Sequence, residues 1–326
     1  MIPEKLKKGD EVRIIVLSTS FSVLSKEQIN IANERLKELG LKVSFGKHVK
    51  EIDDFMSTSI ESRVEDFHDA FLDKNVKAIL TVLGGFNANQ LLDYVDWKIV
   101  KKNPKIFCGY SDITIFNNSI YAKTGLVNYY GPHYSTFGQK LYFDYTLEYF
   151  KKCVFCEKPY LIKESKDWSD DNWYLEQEKR TLISSEGYWV INEGVAEGVI
   201  LGGNLQTFNL LQGTRYFPCF KKDTILFLED DELTNPEIFD RCLQSVMHQS
   251  NFNKVRGIII GRFQKASKVD KDLLSKIIKT KKELKNIPIV ANADFGHTSP
   301  MFTFPIGGSL KMDIKNEGVE IMVLKH

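Results

Sequence analysis

Short apolar runs alternate with helix-like segments throughout the first half of the chain. The runs contain almost no polar residues, which is typical of strands buried on both faces of a parallel sheet, and the periodic segments are typical of helices that cover such a sheet. We therefore predict a parallel α/β arrangement. The predicted strands are Val12–Leu17, Val43–Phe45, Ala78–Leu83 and Ile106–Gly109, and the predicted helices are Ser25–Leu39, Ser62–Leu72, one that starts within Asn87–Tyr94, and Ile113–Thr124.

From Gly187 to the end, short apolar runs are mixed with glycine-rich turns and only two clear helices, near Pro236–His248 and Lys271–Lys285. This pattern predicts a second, sheet-based domain. The fold class is therefore α/β, with an N-terminal parallel-sheet α/β domain and a smaller C-terminal β-rich α/β domain.

Between the two halves, Phe143–Arg180 has no steady apolar stripe, and we interpret this stretch as a connector. The predicted division is an N-terminal domain over 1–145, a connector with a tryptophan-bearing loop over 146–186, and a C-terminal domain over 187–326.

The charges are balanced, with 44 basic and 43 acidic residues and a net charge of +1. No overall field favours nucleic acid or an anionic membrane, so we expect a small-molecule partner. The five cysteines are scattered, and Cys153 and Cys156 lack a second pair. We therefore expect neither a disulfide framework, a metal site nor a cofactor. The N-terminal apolar run is too short for a signal peptide, which predicts a cytoplasmic location.

One serine directly follows the fourth predicted strand, in Phe107–Thr114 (FCGYSDIT). Because Ser111 lies between a strand and an apolar helix, its hydroxyl would stand on a tight turn where free backbone N–H groups point to the same place. This geometry suits a nucleophile, but an ordinary N-cap serine occupies the same position. The stretch lacks the second glycine of the G-x-S-x-G elbow, so it does not carry that signature.

A nucleophilic serine needs a base and a third group that orients the base. Of the six histidines, His297 follows a predicted buried strand in a loop that could reach another domain. His133, in a Gly-Pro-His loop, is the alternative, and we favour His297. Glu229 is the first polar residue after the apolar run Ile225–Leu228, which suits an orienting carboxylate, although an ordinary strand-end acid has the same pattern.

The glycine pair Gly84-Gly85 also follows a predicted strand. Glycine lets the backbone approach a ligand closely, so this loop could supply one of the two N–H donors that an oxyanion hole requires, with the N–H of Asp112 as the other. A turn that requires positive φ explains the same two glycines equally well.

Five stretches, in this order, resemble one family: the serine peptidases that comprise the LD-carboxypeptidases and the microcin C immunity proteins. The resemblance extends from about Gly9 to Gly308. The stretches are Leu83–Leu92 (LGGFNANQLL), Gly109–Thr114 (GYSDIT), Gly202–Leu205 (GGNL), Leu228–Asp230 (LED) and Asp294–Pro300 (DFGHTSP).

The resemblance implies a serine carboxypeptidase whose active site lies between the two domains, usually in a homodimer. It implies that Ser111 is the nucleophile, that His297 is the base and that Glu229 orients the base. It further implies that the backbone N–H groups of Gly85 and Asp112 form the oxyanion hole.

The stretch Asp167–Trp173 (DWSDDNW) looks like the tryptophan-bearing loop of the microcin C immunity branch, in which an indole stacks on the adenine of an aminoacyl or peptidyl adenylate analogue. Stacking on a base contributes about 1–3 kcal/mol. Alternatively, Trp168 and Trp173 only pack the connector onto the body. We assign Trp168, with Gly84 and Asn204, to substrate binding.

We therefore favour an enzyme of the immunity type, which hydrolyses the amide between an aminoacyl or peptidyl group and a nucleotide. One alternative is a murein tetrapeptide LD-carboxypeptidase that releases a terminal D-alanine. A second alternative, from another class, is a non-catalytic protein that binds a small ligand.

Overall fold

A six-stranded and an eight-stranded sheet form the centre of the protein in a computed structural model that describes residues 1–326. The strands are β1 (Glu11–Ile15), β2 (Lys42–Phe45), β3 (Val76–Thr81), β4 (Ile106–Gly109), β5 (Asn128–Tyr130), β6 (Tyr160–Ile162), β7 (Asp167–Trp168), β8 (Ile183–Ser184), β9 (Trp189–Asn192), β10 (Gly194–Asn204), β11 (Thr224–Glu229), β12 (Val255–Gly261), β13 (Ile289–Ala293), β14 (Phe304–Ile306), β15 (Ser309–Lys315) and β16 (Gly318–Lys325). The α-helices are α1 (Lys26–Glu38), α2 (Ile60–Leu72), α3 (Trp97–Lys102), α4 (Thr114–Thr124), α5 (Tyr134–Phe137), α6 (Asp144–Phe155), α7 (Leu205–Asn209), α8 (Pro236–Met247) and α9 (Lys271–Lys279).

The smaller sheet has the strand order β14-β5-β4-β3-β1-β2, and every pair is parallel except β14 with β5. Strands β3, β4, β5 and β14 are buried along nearly all of their length, as in sheets covered on both faces, whereas the edge strand β2 is partly exposed. The predicted α/β class is confirmed, and all four predicted strands are present. Strand β4 has the predicted bounds.

The larger sheet has the order β6-β16-β15-β10-β11-β12-β13-β9. Its centre, β10 to β13, is parallel, and the flanking strands are antiparallel. The predicted β-rich second domain is therefore confirmed.

Helix α1 starts at a capping box. The Ser25 hydroxyl accepts a hydrogen bond from the N–H of Gln28, and the side-chain oxygen of Gln28 accepts one from the N–H of Ser25. Helix α9 ends at Lys279, earlier than the predicted Lys285, and a short 3₁₀ turn follows it. The helix predicted to start within Asn87–Tyr94 is likewise only a 3₁₀ turn.

The stretch interpreted as a connector contains three regular elements that the prediction missed. Helix α6 buries Tyr149, Phe150 and Cys153 on one face, β6 pairs with β16 at the edge of the larger sheet, and β7 pairs with β8. The buried residues of α6 recur at helical spacing, so this stripe was present in the sequence. Because α6 starts at Asp144, it spans the predicted boundary at 145, and the three-part division stays a prediction.

The two sheets share one continuous core of 85 buried apolar residues. Strand β14 belongs to the C-terminal half of the chain yet pairs with β5 in the smaller sheet. The carboxamide of Asn118 in α4 also bonds both backbone groups of Gly202, at 2.7 and 3.1 Å. These contacts hold the carboxyl ends of the two parallel sheets against each other. No helix combines the length and the apolar character needed to cross a membrane.

Candidate active site

Ser111 stands on a strained turn between β4 and α4. Its φ is 58°, a conformation that residues other than glycine rarely adopt. The hydroxyl caps no helix, since neither the turn Ser111–Ile113 nor α4 has a side-chain cap, so the ordinary capping role is absent. Ser111 instead lines a cavity. A serine held in this way at the carboxyl end of a strand is suited to nucleophilic attack.

The imidazole of His297 joins Ser111 to Glu229. Its Nε2 lies 2.9 Å from the Ser111 Oγ, and its Nδ1 lies 2.8 Å from Oε2 of Glu229. Glu229 ends β11 and its side chain is 0% exposed. Because Nδ1 donates to the carboxylate, Nε2 is free to accept the serine proton.

Two glycines leave room for the buried carboxylate. A Cβ on Gly296 would lie 2.3 Å from Oε2 of Glu229, and one on Gly261 would lie 2.7 Å from the Glu229 Cβ. Any larger residue at either position would displace the carboxylate from His297. Gly296 precedes His297 in the stretch DFGHTSP, which carries part of the family resemblance. Glycine is required at this position for steric reasons.

The other histidine considered as a base is held elsewhere. Nδ1 of His133 bonds Oγ1 of Thr81 at 2.8 Å. Burial, together with the nearby charge of His297, lowers the pKa of His133 to about 3, so this ring stays neutral. The structure therefore brings His297, and not His133, to Ser111.

The glycine loop lies directly against the serine. A Cβ on Gly84 would be 2.9 Å from the Ser111 Oγ, and one on Gly85, whose φ is +151°, would be 2.3 Å from the Ser18 Oγ. Neither the Gly85 nor the Asp112 amide donates to a backbone carbonyl. Both N–H groups are therefore available for an oxyanion beside Ser111.

The side chain of Asp112 ties the serine turn to this loop. It accepts hydrogen bonds from the Ser18 hydroxyl at 2.6 Å and from the N–H of Ala88 at 2.9 Å. Since the carboxylate is 3% exposed, these bonds are shielded from water. The two predicted oxyanion donors are thus positioned relative to each other by buried hydrogen bonds.

The acids around His297 control its titration. Burial alone would lower its pKa, but Glu229, then Asp231 and Asp230, more than offset this and raise the pKa of His297 to about 9. Burial also raises the pKa of Asp230 to about 7. Near neutral pH most of the imidazole is therefore protonated in the free protein.

The pH dependence of hydrolysis should follow this pKa. Only the neutral imidazole accepts the serine proton, and kcat/KM reports groups of the free enzyme. We expect kcat/KM to rise by about tenfold per pH unit from pH 6 and to level off near the pKa of His297, at about 9. A rate series from pH 5 to 10 measures this. A profile that is flat between pH 5 and 8 would contradict the assignment of His297 as base.

Ser111 and His297 face a cavity of about 700 Å³. One wall is aromatic, with Trp173 and Tyr174 from the tryptophan-bearing loop. The lining contains four carboxylates and neither lysine nor arginine. The carboxylates are those of Asp170, Asp171, Asp231 and Glu232.

Of the three predicted substrate-binding residues, only Gly84 lines this cavity. The ring of Trp168 faces the cations of Arg262 and Lys265, which lie 5.1 and 5.7 Å from its centre. Asn204 is 2% exposed and caps α7 by accepting from the N–H of Thr207. Direct contact of Trp168 or Asn204 with a substrate stays a prediction that this geometry does not support.

The loop that carries Trp173 is held by hydrogen bonds at both ends. Ser169 and Ser299 exchange two backbone bonds of 2.7 and 2.8 Å. The carboxylate of Asp171 accepts from Nε of Arg180 at 2.7 Å and from the N–H of Thr181 at 2.9 Å. Because Ser299 lies two residues after His297, the loop is tied to the same segment as the histidine.

Three residues of the site were missed from the sequence. Tyr130 bonds Glu229, Asn118 joins α4 to β10, and Trp173 forms the aromatic wall. Asn118 is flanked by Asn117 and Ser119 in α4, so the sequence did not distinguish it from the other polar residues of this helix. Tyr130 carried no signal either, since an aromatic residue at a strand end is ordinary core sequence. No group of three or more histidine, cysteine, aspartate or glutamate side chains is arranged to hold a metal ion.

A serine at a strand-to-helix turn, within hydrogen-bond reach of an imidazole whose far side meets a buried carboxylate, defines the class of serine hydrolases. The distance between Ser111 and His297 also argues against a purely ligand-binding protein. Comparison with known proteins then identifies the family.

Two family models match the chain: the LD-carboxypeptidase N-terminal domain over residues 12–131 and the LD-carboxypeptidase C-terminal domain over residues 197–312. The putative carboxypeptidase YocD of Bacillus subtilis is 53% identical over the full length of both chains. The crystal structure of an MccF-like protein from Bacillus anthracis str. Ames, also 53% identical, superposes with a TM-score of 0.98 over all of both chains.

The microcin C7 self-immunity protein MccF of Escherichia coli is 30% identical over 98% of this chain and 95% of its own. MccF in complex with aspartyl sulfamoyl adenosine superposes with a TM-score of 0.89, at 28% identity over 100% of this chain and 99% of that one. The chain belongs to the LD-carboxypeptidase family, and it is a serine-type carboxypeptidase.

Proposed function

We propose that this enzyme hydrolyses the amide between an aminoacyl or peptidyl group and a nucleotide, with Ser111 as nucleophile, His297 as base and Glu229 as the group that orients the base. The observation that carries the proposal is the cavity. The indole of Trp173 and the phenol of Tyr174 share it with the Ser111 hydroxyl, so a nucleobase and the scissile carbonyl fit one ligand.

The chemistry follows from the geometry. Oγ of Ser111 attacks the acyl carbon while its proton moves to Nε2 of His297, which lies 2.9 Å away. The N–H groups of Gly85 and Asp112 stabilise the oxyanion, and losing one such donor raises a barrier by about 2.7–4 kcal/mol. The imidazolium then protonates the leaving nitrogen, and the acyl-enzyme remains. Water then attacks the acyl-enzyme while its proton moves to Nε2 of His297, and the imidazolium returns that proton to the Ser111 oxygen as the acid is released.

The charge of the cavity does not separate the two substrate classes. Four carboxylates and no lysine or arginine line it, and a tetrapeptide with its terminal carboxylate and an acyl nucleotide with its phosphate or sulfamate group both bring negative charge to it. The aromatic wall is the feature that favours the nucleotide. The structure of MccF in complex with aspartyl sulfamoyl adenosine supports the nucleotide as well, since the two chains share their fold.

The decisive experiment offers both substrate classes to the purified enzyme and follows cleavage by mass spectrometry. We expect aminoacyl sulfamoyl adenosine to be hydrolysed to the amino acid and the sulfamoyl nucleoside. Cleavage of the tetrapeptide with release of D-alanine, and no effect on the nucleotide, would instead assign the alternative function of cell-wall recycling.

Two tryptophans of one loop give a matched test of stacking. We expect Trp173→Ala to lower kcat/KM for the nucleotide substrate by about 10- to 100-fold, because it removes about 1–3 kcal/mol of stacking. Trp168→Ala is the control, since its ring faces Arg262 outside the cavity. Both variants should be compared by kcat/KM on each substrate that the enzyme cleaves. If kcat/KM falls equally in the two variants, or falls further in Trp168→Ala, the prediction that Trp168 binds the substrate is supported instead.

Two further expectations stay predictions. A cytoplasmic location rests on the N-terminal sequence, and a homodimer rests on the family resemblance. Sedimentation equilibrium of the purified protein measures whether it is a dimer.

A further inference from the structure

Tyr130 occupies the far side of the Glu229 carboxylate. Its hydroxyl donates to Oε1 of Glu229 at 2.6 Å, while Oε2 faces His297 at 2.8 Å. The same hydroxyl oxygen accepts from the backbone N–H of Ser111 at 3.3 Å. One phenol therefore touches both the serine turn and the carboxylate that meet at His297.

The direction of these bonds is fixed by chemistry. A backbone N–H can only donate, so the phenol oxygen accepts from Ser111, and its own proton goes to the carboxylate. Burial, then the neighbouring charge of Glu229, raises the pKa of Tyr130 well above its ordinary value, so the proton stays on the phenol throughout the working pH range.

The ring of Tyr130 cannot easily turn away. It stacks on Phe304 of β14, with the ring centres 4.8 Å apart and an angle of 20° between the planes. On another side a Cβ on Gly203 would lie 2.7 Å from its Cε2, so only glycine fits there. Gly203, the second glycine of the stretch GGNL, thus packs against Tyr130, which gives this part of the family resemblance a steric explanation.

We propose that Tyr130 is a positioning residue of the active site, whose hydroxyl holds the Glu229 carboxylate and the Ser111 turn in register with His297 across the two halves of the protein. The inference rests on the proposed roles of Ser111, Glu229 and His297. Tyr130 touches neither substrate nor reacting atoms and acts only through these groups.

Removing the hydroxyl has two expected effects. The carboxylate loses the bond that fixes its orientation, and its negative charge, no longer shared with the phenol, acts more strongly on the imidazole. The first effect lowers kcat, and the second raises the pKa of His297. The titratable groups whose charge acts on this imidazole are Glu229 at the end of β11, Asp230 and Asp231 directly after it, and His133 before α5, and the ring of Tyr110 after β4 packs beside it.

The test compares Tyr130→Phe with Tyr129→Phe. Tyr129 is the preceding residue of β5, is equally buried, and has its hydroxyl beside Lys5, away from the site. We expect Tyr130→Phe to lower kcat at pH 7.5 by about tenfold with little change in KM. We expect Tyr129→Phe to stay within twofold of wild type.

The second readout needs no substrate. In protein labelled with ¹⁵N-histidine, with His297 assigned from a His297→Gln variant, an NMR titration gives the pKa of that ring directly. We expect Tyr130→Phe to raise it by about half a unit to one unit, and Tyr129→Phe to leave it unchanged.

Equal kcat and equal His297 pKa in the two phenylalanine variants would overturn the role of Tyr130. A fall in kcat without a shift of that pKa would also overturn it, since general loss of structure gives the same result. If Ser111→Ala instead retains full activity, the proposed function fails, and the pKa comparison alone still decides whether Tyr130 acts on Glu229.

Discussion

Replacement of Ser111 by alanine is expected to lower kcat for the aminoacyl nucleotide by at least about 10⁴-fold. The variant keeps the N–H groups of Gly85 and Asp112, but no nucleophile remains 2.9 Å from Nε2 of His297. The residual rate then comes from attack by water and from substrate binding alone. Product formation measured by mass spectrometry, under single-turnover conditions, gives the rate, and the mass of the acyl-enzyme should be absent from the variant.

Ser119→Ala is the matched control for this experiment. Ser119 lies in α4, the helix that follows the Ser111 turn, is fully buried, and its hydroxyl has no hydrogen-bond partner. Its removal should therefore leave kcat within twofold of wild type. If Ser111→Ala hydrolyses the substrate at a rate within tenfold of wild type, Ser111 is not the nucleophile.

Glu229→Gln is expected to lower kcat by about 10³- to 10⁴-fold. A carboxamide can donate to Nδ1 of His297, which would move the imidazole proton to Nε2, where it blocks the serine. The amide also no longer stabilises the imidazolium, so the pKa of His297 should fall below the value of about 9 that the carboxylate maintains. The rising limb of the profile should move towards acid by more than about one unit. Profiles of kcat/KM from pH 5 to 10 record both effects.

Asp230→Asn separates this role from general loss of acidic charge. Asp230 adjoins Glu229 and is 1% exposed, but its Oδ1 accepts from the Gln206 side chain at 3.0 Å and does not reach the imidazole. We expect Asp230→Asn to lower kcat by less than tenfold and to shift the rising limb of the pH profile by less than Glu229→Gln does. A loss in Asp230→Asn as large as that in Glu229→Gln would show that the field of the acidic cluster, and not the bond to Nδ1, supports activity.

Local chemistry made much of the fold predictable. Strand β4 was predicted with its observed bounds because an apolar run between a lysine-rich stretch and a serine turn has few other conformations. Helix α1 was predicted from its helical pattern, and in the structure Ser25 and Gln28 form a capping box at its start. Helix α6 was missed although Tyr149, Phe150 and Cys153 recur at helical spacing, because it leads into a stretch without steady periodicity.

The sequence identified some side chains of the site and could not identify others. Ser111, Glu229 and His297 were found because each follows an apolar strand, where parallel sheets collect polar groups. Trp168 and Trp173 lie in one loop without periodicity, so nothing local indicates which indole faces the cavity. That choice depends on Arg262, whose guanidinium lies 5.1 Å from the ring centre of Trp168 and comes from a distant strand end.

The sequence by itself determined the α/β class, the approximate positions of the first four strands and of several helices, and the three residue types of a hydrolytic site, because these depend on neighbours along the chain. Only the tertiary structure decided that Nε2 of His297 lies 2.9 Å from the Ser111 hydroxyl, that Tyr130 binds the far oxygen of Glu229, and that Trp173 lines the cavity. These are contacts between residues far apart in sequence. They arise because the pairing of β14 with β5 and the bonds of Asn118 to Gly202 hold the two sheets together, and no local pattern specifies these contacts.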